Sequence, residues 1–213
     1  MGIPSYNEVY KALAERHGEV LQKKLSETSV AVCGLGGLGS NIAVSLVRAG
    51  VGHLHIIDFD KVDISNINRQ QYFISQIDRY KTDALYDILL KIMPYTDIKR
   101  TCIKLDEKNI CDILKDDDII CEAFDNAESK AELVNCVLEK MPEKYIVSGS
   151  GMAGLGNADK IRTKKITERF YMCGDGESDI SDGMGLVSSR VMVCAGHQAH
   201  KVIQIINGSV END

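Results

Sequence analysis

The stretch VAVCGLGGLGSNIAVSLVRAGVGHLHIIDFD, residues 30–60, decides the fold of this chain. An apolar, β-branched run leads into a cluster of glycines, a helix-like segment follows, and a second apolar run ends in acidic residues. Gly34, Gly36 and Gly39 match the pattern G-x-G-x-x-G. The first glycine of this pattern permits a tight turn, the second lets the backbone approach a phosphate, and the third lets a helix pack closely on a strand. The stretch therefore predicts a strand–loop–helix–strand unit with an anion site at the helix N-terminus.

An acidic residue completes this unit. Asp58 ends the second apolar run, where a carboxylate can accept hydrogen bonds from the hydroxyls of a ribose. Strand, glycines, helix and acid together predict nucleotide binding. They do not choose between NAD and ATP, because both molecules carry ribose and phosphates.

The rest of the chain continues the alternation of strands and helices. Apolar runs predict strands over residues 29–33, 53–58, 97–104, 118–121 and 145–148, and periodic apolar positions predict helices over residues 5–25, 38–49, 80–93, 107–114, 127–138 and 188–207. This order predicts an α/β, Rossmann-like fold with a mainly parallel sheet and helices on both faces. Two further runs, 157–167 and 169–173, predict a short antiparallel C-terminal extension. We expect residues 1–27 to form an N-terminal helical segment and residues 28–213 a single domain.

Composition argues against several classes of function. The formal net charge of -6 disfavours a nucleic-acid partner, because phosphate neutralisation needs clustered Lys and Arg. No apolar run reaches the roughly 20 residues that span a bilayer, and the N-terminus has no apolar signal region. We therefore expect no membrane segment and a cytoplasmic location. The seven cysteines form no Cys-x-x-Cys pair, so neither a zinc site nor a disulfide framework is expected.

Two cations and an acid favour ATP over NAD. Arg69 lies in the loop DFDKVDISNINRQ, and Lys81 follows twelve residues later, near the start of a predicted helix. Either cation alone could be a solvated surface charge, but a reaction that expels pyrophosphate needs cations around the leaving oxygens. Asp125 ends the fourth predicted strand, where it could bind magnesium or, like Asn126, cap the following helix.

The motifs GLGGLGS, AGVG, DFDKVDISNINRQ and FDNAESK, together with Lys81, resemble the adenylation domain of the ThiF/MoeB family, relatives of ubiquitin-activating enzymes. The resemblance covers residues 28–150 with specific motifs and the remainder more loosely. It is greatest to compact ThiF proteins that act on the thiamine sulfur carrier ThiS. It implies an ATP site formed by Gly34, Gly36, Gly37, Gly39, Asp58, Asp60, Ser65, Asn66, Arg69, Lys81, Asp125 and Asn126.

The resemblance also implies a reaction. The C-terminal glycine carboxylate of a ubiquitin-like sulfur carrier with a Gly-Gly end attacks the α-phosphorus of ATP, pyrophosphate leaves, and an acyl-adenylate remains. Arg69, Lys81 and Asp125 are the implied catalytic residues, with Mg²⁺ held by Asp125. The family is typically dimeric, so a homodimer is expected.

The chain departs from the family pattern in two places. Arg16 is the only candidate for an N-terminal arginine that reaches the partner subunit's ATP, and its surroundings match poorly. Some relatives use a cysteine to accept the carrier or its sulfur, and Cys173 is the best candidate for a catalytic thiol here. The nearby acids Asp175, Glu177 and Asp179 are expected to raise the pKa of that thiol, which argues against a reactive thiolate.

Other interpretations remain open at this stage. The glycine-rich segment 149–156 could leave room for an extended Gly-Gly tail or be only a loose connection. An NAD-dependent oxidoreductase would need a hydride-transfer site, for which Tyr145 is the single weak candidate. A non-catalytic nucleotide-binding scaffold and an enzyme acting on a molybdopterin-type carrier are the further alternatives.

Overall fold

The predicted fold class is confirmed by the structure, a computed structural model that describes residues 2–179, 183 and 185–209. One seven-stranded sheet has the order β3-β2-β1-β4-β5-β7-β6. Its strands are β1 (Ser29–Cys33), β2 (His53–Ile57), β3 (Asp97–Thr101), β4 (Ile119–Glu122), β5 (Tyr145–Gly149), β6 (Arg162–Lys165) and β7 (Phe170–Gly174). All neighbouring pairs are parallel except β6 and β7, which form the expected antiparallel C-terminal extension.

Helices cover both faces of this sheet, because the parallel strands are joined by crossover connections. They are α1 (Tyr6–His17), α2 (Glu19–Glu27), α3 (Gly37–Ala49), α4 (Lys81–Ile92), α5 (Ile110–Leu114), α6 (Ala127–Lys140) and α7 (Ser188–Asn207). Short 3₁₀ turns lie at Ile64–Asn66, Ile74–Gln76 and Ala158–Lys160. Within the described ranges, every helix is too short or too polar to traverse a bilayer.

Two hydrophobic clusters fill the spaces between the sheet and its helices. In β1, Val30 and Val32 contribute to the cluster under α3, α4 and α7, whereas Ala31 and Cys33 contribute to the cluster under α5 and α6. Successive side chains of a strand point to opposite faces, so a strand buried on both sides is a continuous apolar run. The apolar run recognised in the sequence is therefore an interior strand of the sheet, between β2 and β4.

The prediction of one helix over residues 5–25 is wrong. Gly18 has φ +95° and separates α1 from α2, and its N–H donates to the carbonyl of Ala14 to close the first helix. The apolar spacing continues through the break, which is why it suggested a single helix. Val20, which the apolar spacing places on the buried face of such a helix, is 71% exposed.

Candidate active site

A cavity of about 490 Å³ lies beyond the carboxyl ends of the parallel strands. In open α/β sheets, ligands bind at this edge, where the strand order reverses, here between β1 and β4. The volume is within the range of small-molecule sites. The cavity collects most of the predicted site residues: Gly34, Gly36, Gly37, Asp58, Asp60, Asn66, Arg69, Lys81, Asp125 and Asn126.

The glycine loop has little room for side chains at two positions and free space at one. At Gly34, which has φ +90°, an added Cβ would lie 2.9 Å from the carbonyl oxygen of Ala123. At Gly39 it would lie 1.8 Å from the carbonyl oxygen of Gly34. At Gly36 the nearest atom would be 3.9 Å away, so this position faces the open cavity. Two of the glycines thus serve packing, and the middle one leaves backbone accessible to a ligand.

Asp58 holds the loops around it in place. Its Oδ2 accepts a hydrogen bond of 2.6 Å from the N–H of Leu35, and its Oδ1 accepts one of 2.8 Å from the N–H of Asp60. Burial raises the pKa of this carboxyl, and the positive charge of Lys81 partly offsets that rise. Asp58 therefore links the glycine loop to the loop after β2 at the edge of the cavity.

Lys81 is buried at the cavity wall, with 6% of the residue exposed. It is the first residue of α4, and its backbone N–H donates to the carbonyl of Asp60. Its Nζ lies 2.9 Å from Asp60 Oδ2 and 3.8 Å from Asp58 Oδ2. The ammonium group is therefore held in position before any ligand arrives.

The guanidinium group of Arg69 is held by neutral hydrogen-bond partners. Its Nη2 donates to Asn66 Oδ1 at 2.8 Å, and its Nη1 donates to Asn68 Oδ1 at 3.0 Å. None of the ion pairs found among the described residues involves Arg69. The side-chain stem packs near Gly37, at the start of α3. The positive charge is thus available to an anion beside the glycine loop.

Two neighbouring residues after β4 have different roles. The Oδ1 of Asn126 accepts a hydrogen bond of 2.9 Å from the N–H of Ser129, so Asn126 is the N-cap of α6. The exposed carboxylate of Asp125 is not needed for that cap and lines the cavity. The described residues include no cluster of three or more metal-ligating side chains. A single carboxylate that shares an ion with phosphate oxygens fits Mg²⁺, which usually takes only one or two carboxylates.

Several predicted residues do not line the cavity. The N–H and hydroxyl of Ser65 both bond to Oδ1 of Asp63 on the exposed side of the loop. Gly39 packs α3 against the glycine loop, as its spacing predicts. Arg16 is exposed in the last turn of α1.

Cys173 is buried in the core rather than beside the cavity. It is fully enclosed in β7, and its sulfur lies 3.5 Å from Thr163 Oγ1. Burial raises the pKa of its thiol to about 11, against small opposing effects of Thr163 and Lys201. The expectation that Asp175, Glu177 and Asp179 raise this pKa is wrong, because desolvation is the cause.

Sequence reasoning missed several polar residues of the cavity, among them Gln70, Lys104 and Lys130. Gln70 is buried, and its Oε1 has no partner among the described residues. Its position directly after Arg69 is a sequence signal that could have identified it as a cavity residue. Lys130 lies four residues after Asn126 and therefore on the same helix face, a spacing that could have identified it.

A sequence model of the ThiF family matches residues 9–213. The chain belongs to the ThiF family. An adenylyltransferase and sulfurtransferase UBA4 of Scheffersomyces stipitis is 36% identical over 200 residues, which are 90% of this chain and 44% of that protein. The molybdopterin-synthase adenylyltransferase of Escherichia coli is 28% identical over 193 residues, 88% of this chain and 76% of that protein.

The chain spans less than half the length of the first curated relatives it matches, between 35% and 44%. Among solved structures, the E. coli tRNA N6-threonylcarbamoyladenosine dehydratase TcdA in complex with ATP superposes with a TM-score of 0.87 at 16% identity, covering 98% of both chains. E. coli MccB superposes with a TM-score of 0.73 at 19% identity, covering 97% of this chain and 64% of that one. At such identities these structures establish the fold of this ThiF-family chain.

Proposed function

We propose that this ThiF-family protein adenylates the C-terminal glycine carboxylate of a ubiquitin-like sulfur-carrier protein, consuming ATP and releasing pyrophosphate. One observation carries the proposal. Arg69 and Lys81, from separate segments, line one cavity with a glycine loop that leaves backbone open at Gly36. The adenylyltransferases that this chain resembles support the same reaction type.

Charge and position account for the chemistry. The attacking carboxylate is already ionised at neutral pH, so the protein needs no general base. It must align the carboxylate with the α-phosphorus and stabilise the charge that develops on pyrophosphate as the bond to the leaving oxygen breaks. We assign the second task to Arg69 and Lys81. Asp125 is the residue that would hold Mg²⁺, whose charge offsets that of the phosphate oxygens when it is bound.

The carrier that we favour is of the ThiS type, which would assign the protein to thiamine biosynthesis. The sequence resemblance to compact ThiF proteins supports this choice. The named relatives include molybdopterin-synthase adenylyltransferases, so a molybdopterin-type carrier is the second candidate. We further propose a cytoplasmic homodimer, in which Arg16 could approach the partner's nucleotide.

The oxidoreductase alternative finds little support in the geometry. Tyr145, its candidate for hydride transfer, is the first residue of β5, at the opposite end of the strand from the cavity. The guanidinium carbon of Arg169 lies 4.7 Å from the centre of its ring. Two cations and Asp125 at the cavity would also have no purpose in hydride transfer.

ATP–pyrophosphate exchange tests the proposal. Radiolabelled pyrophosphate should enter ATP in the presence of Mg²⁺ and a ThiS-type or molybdopterin-type carrier, and the preferred carrier should give the higher kcat/KM. A carrier that lacks its terminal glycine is the matched control and should give no exchange. Tight ATP binding without exchange on any Gly-Gly-tailed carrier would contradict the proposal and favour a nucleotide-binding scaffold.

A further inference from the structure

The glycine-rich segment Gly149–Gly156 is anchored at one end by a partly buried lysine and at the other by a buried arginine. The Nζ of Lys130 donates a hydrogen bond of 2.7 Å to the carbonyl of Gly149. The Nη1 of Arg190 donates to the carbonyl of Gly156. The residues between these anchors that line the cavity wall are Ser150, Gly151, Met152 and Ala153. The segment is thus not the loose connection that its composition would allow.

Lys130, the first anchor, is held by a buried carboxylate. Glu122, the last residue of β4, is 0% exposed and forms an ion pair with Lys130. The carboxylate also accepts hydrogen bonds from the N–H of Phe124, at 2.7 Å, and from the hydroxyl of Ser148. A buried carboxylate with this many donors holds the ammonium group in one place, and Lys130 in turn fixes the end of β5.

Arg190, the second anchor, is likewise held by a buried carboxylate. Arg190, on α7, donates to Asp175 Oδ2 at 2.5 Å, and both side chains are buried. Burial by itself raises the pKa of Asp175, but N–H groups of Ser178 and Glu177, the Ser178 hydroxyl and Arg190 outweigh it and lower the pKa to about 2. The pair is therefore charged at neutral pH and locks α7 to the segment after β7.

Backbone contacts fix the residues between the anchors. The N–H of Asp175 donates to the carbonyl of Gly151 at 3.0 Å, and the N–H of Gly176 donates to the carbonyl of Ser150 at 3.2 Å. At Gly174, an added Cβ would lie 1.6 Å from the Ser150 carbonyl oxygen. The N–H groups of Gly151 and Met152, in contrast, donate no hydrogen bond to any described residue. A rigid wall whose N–H groups have no partner among the described residues is suited to an extended peptide, which binds through its own backbone.

We propose that Lys130 and Arg190 are positioning residues that hold Gly149–Gly156 as a preformed wall for the extended C-terminal tail of the carrier. The inference rests on the proposed function and adds the surface on which the tail lies. A wall fixed in advance costs less ordering entropy when the tail binds, so its loss should weaken carrier binding more than ATP binding. Neither residue needs to touch the reacting atoms for this effect.

Paired substitutions test the wall without leaving a buried charge unpaired. We choose Glu122→Gln with Lys130→Met, and Asp175→Asn with Arg190→Met, because neutralising both partners of a buried pair is often tolerated. Each double variant should raise the KM for carrier in pyrophosphate exchange about tenfold, in line with a lost charged hydrogen bond, and should change kcat and the Kd for ATP by clearly smaller factors. Lys130→Arg, which keeps the charge and a donor, should restore much of the carrier KM.

The matched control is the exposed pair Lys160 and Glu177, whose double substitution Lys160→Met with Glu177→Gln should leave the carrier KM unchanged. A folded double variant with an unaltered carrier KM would overturn the inference. Absence of exchange in the wild-type protein with every carrier would overturn the proposed function and the inference with it.

Hydrogen exchange on the wild-type protein gives a second readout that does not depend on how variants fold. With ATP analogue and carrier present, the amides of Gly151 and Met152 should exchange more slowly than with a carrier that lacks its last four residues. Equal exchange with both carriers would show that the tail lies elsewhere and would overturn the inference.

Discussion

Lys81 and Asp60 form a pair in which the ammonium nitrogen lies 2.9 Å from a carboxylate oxygen, at the wall of the cavity. The carboxylate side of the pair is half exposed, whereas the lysine is buried. Asp60 therefore holds the cation in place while its own carboxylate remains partly solvated. Lys81 thus needs little rearrangement to stabilise charge on a phosphate.

This arrangement predicts a large effect of Lys81→Ala. We expect kcat/KM in pyrophosphate exchange to fall roughly 10²- to 10³-fold, as for the loss of one preorganised donor. Lys61→Ala is the matched control, because Lys61 is exposed and its ammonium lies 5.2 Å from the centre of the Tyr80 ring rather than in the cavity. Similar rates for both variants would contradict the assigned role.

The binding of phosphate oxygens by Arg69 should depend on the planar, forked geometry of its guanidinium group as well as on its charge. Arg69→Ala is expected to lower kcat/KM by roughly 10²- to 10³-fold, and Arg69→Lys to recover only part of that loss, since lysine offers a point charge. The exposed Arg79, paired with Asp87 at 2.7 Å, provides the control variant Arg79→Ala. Full recovery by lysine would argue against bidentate binding of phosphate oxygens.

Alanine substitutions at two glycines of the same loop should have different effects, one on ATP binding and the other on stability. Gly36→Ala places a methyl group in open space, so the protein should fold normally, but its Kd for ATP should rise because the methyl group lies on the ligand side. Gly39→Ala forces a methyl group against the Gly34 carbonyl and should destabilise the fold by about 3 kcal/mol or more. Urea unfolding and ATP titration separate the two effects. A destabilised Gly36→Ala with normal ATP affinity would refute the assignment of this glycine.

Cys173 should be unreactive in the folded protein. Its thiol pKa of about 11 leaves it protonated at pH 7, and its thiolate fraction grows only as the pH rises toward that value. Iodoacetamide at pH 8, followed by peptide mass spectrometry, should label the exposed Cys102 first and Cys173 only after unfolding. Cys173→Ala should retain pyrophosphate exchange. Rapid labelling of Cys173, or loss of exchange in the alanine variant, would restore it as a catalytic candidate.

Much of the fold could be predicted because its signals are local. β1 begins and ends where the apolar run Ser29–Cys33 does, and α3 begins at the glycine loop that precedes it. The break at Gly18 was missed because apolar spacing alone cannot reveal a positive φ. The edge strand β6 is shorter than its predicted run, since pairing with β7 alone determines its length.

The candidate site was predictable to the extent that motifs mark it. Ser65 shares a motif with Asn66, yet its hydroxyl bonds to Asp63, and only the three-dimensional path of the loop shows which side chain reaches the cavity. The roles of Lys130 and Arg190 depend on contacts with Gly149 and Gly156, which lie far away in the sequence. Such long-range pairings leave no periodic signal in a single sequence.

A crystal structure with Mg²⁺ and a non-hydrolysable ATP analogue tests the central claim most directly. The account predicts the triphosphate against the glycine loop, with Arg69 Nη and Lys81 Nζ within hydrogen-bond distance of its oxygens. A nucleotide bound with both cations directed into solvent, or with its phosphates away from Gly36, would contradict the account.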